Sequence, residues 1–428
     1  MITLFCFLSG FLLLGLAGGT KWFDHFVLLV MIFVSVGFLF DLGFNKRLQV
    51  ARNALVLGYF ARILLLLYDV YSSDPLHLPL VGGPMTEDPM RFFNAALSFA
   101  QGEMPTYGGA FSKLFGIIFY LTAPSRLWGE FIVMLFSILT LLTIARIVID
   151  LDISDRDKSL SIYFASLIPN YMLLSVIFRR ETIITFFIAL SLMFFLKWFK
   201  SVNPEKSFVL SIAFGLLASL FHGAVGIIVV FFLIVHFLYS PKDKSFKLTI
   251  KNIVFVFSFS LFFCFCCARY GTVFFTKLER LEAGNLEGLS SVRDAGGSSY
   301  ARYVGNSSSL GNILVYSIPR FAYFTYSPFP WQWRGLNDIL TFLMSSLPYF
   351  LILIKTIRSI RMHPKNSQAR ILMVIILFVT VGMMFVFSWG VTNTGTATRH
   401  RDKFIAMHTL LFAMSRGNRI RLNPRNKY

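Results

Sequence analysis

Near its end the chain carries the run WGVTNTGTATRHRDKF, which groups Arg399, His400, Arg401 and Lys403 beside a Gly/Thr-rich stretch. Guanidinium forks match phosphate oxygens, and backbone N–H groups add donors, so such a group can clamp a diphosphate. The same residues would also serve as headgroup anchors for the last apolar run. A second cationic group, Arg179-Arg180-Glu181, sits in a very short break between two apolar runs. There Glu181 can orient one arginine and leave the other to meet an anion, or the three can form a structural ion pair.

Carboxylates come from one long polar segment: Asp69, Asp74, Glu87 and Asp88. Asp88 stands at an expected helix start with Pro89 behind it, where an acid complements the helix dipole. Capping alone explains it. As a functional group, Asp88 or Glu87 would take a proton from an attacking sugar hydroxyl. Arg320, Trp331 and Trp333 belong to IPRFAYFTYSPFPWQWRG. Tryptophan faces stack on sugar rings and also anchor proteins at membrane interfaces. Arg62 lies within an apolar run and should face a bundle interior or a cavity. His222, at the end of another run, can face the same cavity or be structural.

Other chemistries lack their residues. No P-loop, metal-ligand cluster or nucleophilic triad is present. Cys264, Cys266 and Cys267 share one apolar run and Cys6 lies in another, with no histidine at ligand spacing, so neither zinc nor a disulfide framework is expected. The net charge of +19 would suggest nucleic acid in a soluble chain, but the basic residues cluster in short loops between apolar runs.

The elements that must position these residues are membrane helices. The chain is 56% apolar and 14% charged, and its 50 phenylalanines exceed what one water-soluble core of 428 residues could hide. Each span needs about 20 apolar residues to cross the hydrocarbon. Twelve candidates are read at 2–17, 25–42, 54–70, 127–149, 159–177, 183–199, 207–222, 224–240, 252–268, 338–356, 370–389 and 404–416. The first begins at Met1 without a basic flank, which argues against a cleaved signal peptide. With both termini inside, 23 basic residues face 7 acids on the cytoplasmic side, against 16 and 14 outside. That bias of +16 against +2 sets the orientation.

Two outer segments exceed connector length, 71–126 and 269–336. The first holds amphipathic pieces near 88–101 and 111–123, expected to lie in the interface. The second begins Gly/Ser-rich and ends in the aromatic run. The expected organisation is a two-helix hairpin at 1–53, a core at 54–416 and a basic cytoplasmic tail at 417–428.

These segments together resemble bacterial envelope polysaccharide machinery. The stretch EDPMRFFNAALSFAQGEMPTYGGAFSKLFGIIFYLTAPSRLWGEFIVM is similar to the first outer loop of the C-type glycosyltransferase superfamily, and IPNYMLLSVIFRRETIITFFIALSLMFF to its next helix pair. The combination of RRE, RFAYFTYSPFPW and TNTGTATRHRDK is more similar to repeat-unit polymerases of O-antigen and capsule clusters. The resemblance covers most of 54–415. It lacks the clean acidic pair of single-sugar transferases.

The resemblance implies an all-α polytopic protein of the bacterial inner membrane, GT-C-like, with a long first periplasmic loop bearing interfacial helices. It implies polymerisation of oligosaccharide units on undecaprenyl diphosphate at the periplasmic face, with a chain-length regulator and a flippase as partners. A hydroxyl of one unit attacks the anomeric carbon of the growing chain and the lipid diphosphate leaves. The diphosphate site would be Arg399, Arg401, Lys403, Arg179 and Arg180. His400 would donate a hydrogen bond, Asp88 or Glu87 would assist the nucleophile, and Arg320, Trp331, Trp333 and His222 would hold sugar. No nucleotide or obligatory metal is needed. Two rivals stay open: transfer of one sugar from a lipid monophosphate, which needs an outer-loop carboxylate and a divalent ion on the donor phosphate, and flipping of a lipid-linked glycan, which needs cations lining the spans.

Overall fold

The computed structural model describes residues 1–72, 87–105, 107–247, 249–258, 299–304 and 310–417. Asp74, the Glu87 side chain, the cysteines of the 252–268 run and the tail beyond Gly417 lie outside what is described. The chain is a helical, polytopic membrane protein. Among the described residues, sheet structure amounts to a two-residue ladder, Tyr239–Ser240 with Ser245–Phe246, and one isolated bridge.

The helices are α1 (Ile2–Ala17), α2 (Phe23–Phe44), α3 (Arg52–Tyr71), α4 (Glu87–Ala100), α5 (Ala110–Leu121), α6 (Arg126–Ile149), α7 (Asp155–Leu167), α8 (Pro169–Leu174), α9 (Glu181–Phe199), α10 (Pro204–Phe221) and α11 (Ile227–Leu238). Then come α12 (Leu310–Tyr326), α13 (Leu336–Met362), α14 (Gln368–Trp389), α15 (Thr394–Arg401) and α16 (Ile405–Arg416). Seven of the described helices are long and apolar enough to cross a bilayer: α2, α3, α6, α9, α10, α13 and α14. Shorter apolar helices cover 2–17, 110–121 and 223–238.

The apolar run at 159–177 is not one helix. Pro169 has no N–H to bond the preceding turn, and Ile168 before it is extended, so the run divides into α7 and α8. The break is mended from elsewhere. Arg62 of α3, wholly buried, donates to the carbonyl of Ser166 at 2.8 Å, to Gly58 O at 2.9 Å and to Ser175 Oγ at 2.8 Å. Its guanidinium also lies 5.3 Å from the centre of the Tyr171 ring. A helix-end carbonyl in a water-poor interior needs a donor, and this arginine supplies one.

The described residues divide into two compact units. One holds the chain to Phe186, apart from Leu151–Ile153; the other holds those residues and the chain from Phe187 onward. In the first unit, Ser125 caps α6 by accepting from Trp128 N at 3.2 Å and donates to Asp24 Oδ1 at 2.6 Å. Arg126 then bridges two buried carboxylates, Asp69 of α3 and Glu130 one turn along α6. Helices α4 and α5 pack together over an aromatic cluster in which Phe178 meets Phe93, Phe111, Phe115 and Phe119 at 4.7–6.1 Å between ring centres.

In the second unit, α9 and α10 exchange serine hydroxyls: Ser191 Oγ donates to Ser211 O and Ser211 Oγ to Ser191 O, at 2.7 and 2.9 Å. Small residues permit that close approach. Helix α14 packs against α11, α12, α13 and α16. Helix α13 carries a π turn at Phe342–Ser346, with Ser345 and Ser346 buried. From Thr394 to Arg416 the chain stays helical, α15 passing into α16 through a 3-10 turn at Asp402–Phe404.

Candidate functional site

The cationic run near residue 400 is a capped helix rather than a loop. Asn393 accepts from Gly395 N at 2.9 Å and Thr396 N at 3.3 Å, fixing the start of α15. The residues before it are held by a distant segment. Tyr300 N donates to Thr392 O at 2.8 Å, and Tyr300 OH donates to Val391 O at 3.0 Å. Ser299 bridges Asn393.

On this helix the four basic residues play different parts. Arg401 is wholly buried, and its guanidinium donates to Ser346 Oγ at 2.7 Å, Ser327 O at 2.6 Å and Thr398 Oγ1 at 3.2 Å. It thereby joins α15 to the π turn and to the cis Ser327–Pro328 peptide. Lys403 is also buried. Its ammonium lies 2.6 Å from His400 Nδ1 and 5.3 Å from the centre of the Phe387 ring. Arg399 and His400 are partly exposed, and Arg399 donates to Thr396 Oγ1 at 3.4 Å. His222, at the C-terminal cap of α10, meets the His400 ring edge-on at 5.4 Å and Phe387 at 5.5 Å. Two histidines far apart in sequence therefore share one corner. Asp402, the one acid of α15 and the 3-10 turn, accepts from Tyr349 OH at 3.1 Å.

The aromatic segment belongs to the same unit. Arg320 is buried, with its guanidinium 4.8 Å from the centre of the Trp389 ring. Trp331 is 62% exposed and stacks on Phe329 at 4.6 Å and 7°, with its indole N–H donated to Tyr323 OH at 3.0 Å. Trp333 donates to Pro328 O at 3.2 Å and packs on Phe342. The two tryptophans differ accordingly: Trp331 presents a fixed open ring, while Trp333 ties the segment to the π turn.

A second cluster lies in the first unit. Asp88, in the first turn of α4, accepts from Tyr107 OH at 3.2 Å. Burial, and then the neighbouring carboxylate of Asp88, hold the Tyr107 phenol above its ordinary value, so it stays a neutral donor. Arg180 reaches the same place, 5.7 Å from the centre of the Phe92 ring, and Phe92 meets Tyr107 at 4.8 Å. Arg179 is buried. The aromatic anchor Phe178 directly precedes these arginines and fixes the entry to α9 under α4 and α5. Asp69 is taken up by Arg126.

Tyr107, Tyr300 and Arg126 were not singled out in the sequence. A tyrosine among 16 gives no signal until its neighbours are known. For Arg126 a cue did exist, since Glu130 follows at i+4 inside an apolar run. Among the described residues no group of three or more His, Cys, Asp or Glu could hold a metal ion.

Fold and site together define a helical membrane protein with a cationic, aromatic-flanked corner in its second unit. No protein-family model, curated protein or solved structure matches the chain.

Proposed function

We propose that the chain is a polymerase that joins oligosaccharide units carried on undecaprenyl diphosphate at the periplasmic face of a bacterial inner membrane. The observation that carries this reading is the charge balance around α15. Arg399, Arg401 and Lys403 stand together with one acid of their own run, Asp402; Arg401 donates to two hydroxyls and a carbonyl, and Lys403 lies against an imidazole and a ring face. Cations grouped on one helical run concentrate positive field where an incoming anion can meet it. Arg399 and His400, partly exposed, would touch the leaving diphosphate; Arg401 and Lys403 would support them from within. In the reaction the acceptor hydroxyl bonds to the anomeric carbon, the bond from that carbon to the diphosphate breaks, and the hydroxyl proton passes to a base. Trp331 supplies a ring on which a sugar can stack.

Deletion of the gene, followed by gel analysis of the surface glycan, tests the reading. Single capped units in place of a ladder support polymerisation. A normal ladder excludes it, and loss of glycan from the surface favours flipping. The Asp88–Tyr107–Arg180 cluster favours a second reading, transfer of one sugar from a lipid monophosphate donor. That reading expects accumulated truncated units and loss of activity in Asp88→Asn.

A further inference from the structure

A lysine ammonium has three N–H donors and no lone pair to offer. The Lys403 nitrogen lies 2.6 Å from His400 Nδ1, and the Phe387 ring lies beside it at 5.3 Å. An aromatic face favours the cation over the neutral amine. As an ammonium Lys403 donates, and Nδ1 then supplies the lone pair. An imidazole whose Nδ1 accepts is neutral and carries its proton on Nε2.

We infer that Lys403 is a positioning residue: it holds His400 as the neutral Nε2–H tautomer, so that His400 meets the substrate anion as a donor of a single, directed hydrogen bond. The division of labour follows from burial. Lys403 is wholly buried and acts on the anion through the ring, whereas His400 is partly exposed. A second proton on the ring would set two cations against each other at 2.6 Å, which the low-dielectric surroundings penalise. The groups around the pair are fixed by other elements. His222 comes from the end of α10 and Phe387 from α14, while Arg399 and Asp402 come from the same helical run, Asp402 being engaged by Tyr349. Here a histidine serves as a neutral electrophile, its charge supplied by the lysine behind it. The functional half of the inference rests on the diphosphate reading; the tautomer does not.

The test is magic-angle-spinning NMR of the full-length protein in lipid bilayers, labelled with 15N-histidine and 15N-lysine. The His400 signals are identified by their loss in His400→Gln. The expected spectrum at neutral pH has an unprotonated Nδ1 near the Lys403 ammonium and a protonated Nε2. In Lys403→Met that Nδ1 signature is lost, and in Lys403→Arg the charge stays while the contact weakens. An imidazolium, or a protonated Nδ1, in the wild-type spectrum overturns the inference even if neither variant folds. Elongation of purified undecaprenyl-diphosphate-linked units should fall about tenfold or more in kcat for Lys403→Met, with a smaller change in KM, because one preorganised donor is lost. Wild-type elongation in a variant that has lost the tautomer overturns the inference. An unaltered ladder in the gene deletion overturns the polymerase reading instead.

Discussion

Arg399 and Arg401 are two residues apart and should fail in different ways. Arg401→Ala removes a buried guanidinium that satisfies Ser327 O and Ser346 Oγ, and leaving such groups without a donor costs about 3 kcal/mol. A lower thermal midpoint in detergent and reduced protein level are expected. Arg399→Ala should leave the midpoint unchanged while the glycan ladder collapses; a normal ladder would remove Arg399 from the site. Trp331 and Trp333 divide similarly: Trp331→Ala should shorten the ladder at wild-type stability, whereas Trp333→Ala should lower the midpoint as it releases Pro328 O and Phe342. Much of this was open in the sequence only as composition. A basic cluster beside an apolar run names the residues, but which of them turn inward depends on a serine 55 positions away in Arg401's case and on a ring of α14 in Lys403's. Hydropathy carries no such information.

Helices were easier to read where long apolar runs meet polar breaks. The runs at 25–42, 54–70, 127–149, 183–199, 207–222, 338–356 and 370–389 fall on the seven long helices. The run at 159–177 is apolar on both sides of Pro169 and so looks continuous by composition, although the proline itself announces the break. Arg62 then becomes a stabilising element in its own right. Arg62→Leu should cost about 2 kcal/mol or more by orphaning Ser166 O, and Arg62→Lys should rescue little, since one ammonium cannot span Gly58, Ser166 and Ser175. Thermal unfolding of the detergent-solubilised variants checks both. Between α4 and α5, Gly108 has φ +82°, and a Cβ there would meet Ser112 Oγ at 2.1 Å and Phe92 at 2.8 Å. Gly108→Ala should therefore lose about 1–3 kcal/mol and disturb the Asp88–Tyr107 contact. The same melting assay reads it.

For the whole molecule, the proposed orientation places α15 on the periplasmic side. A cysteine placed at Thr396 in a background without native cysteines should react with a membrane-impermeant maleimide added to spheroplasts. Protection there, with labelling only after lysis, would put α15 in the cytosol and end the diphosphate proposal. The π turn of α13 also bears on the molecule as a whole. Such turns hold one residue more than the α-helix requires. Removing Leu343 would restore the regular repeat while leaving Leu347–Met362 in register. The portion before it would then rotate by about 100° around the axis, the angle of one residue. Thr341 would swing out of the interior, and the Pro328–Trp333 stretch would lose its footing on Phe342. A single missing codon would thus act as a wrench on the aromatic segment, leaving the lower half of that helix untouched.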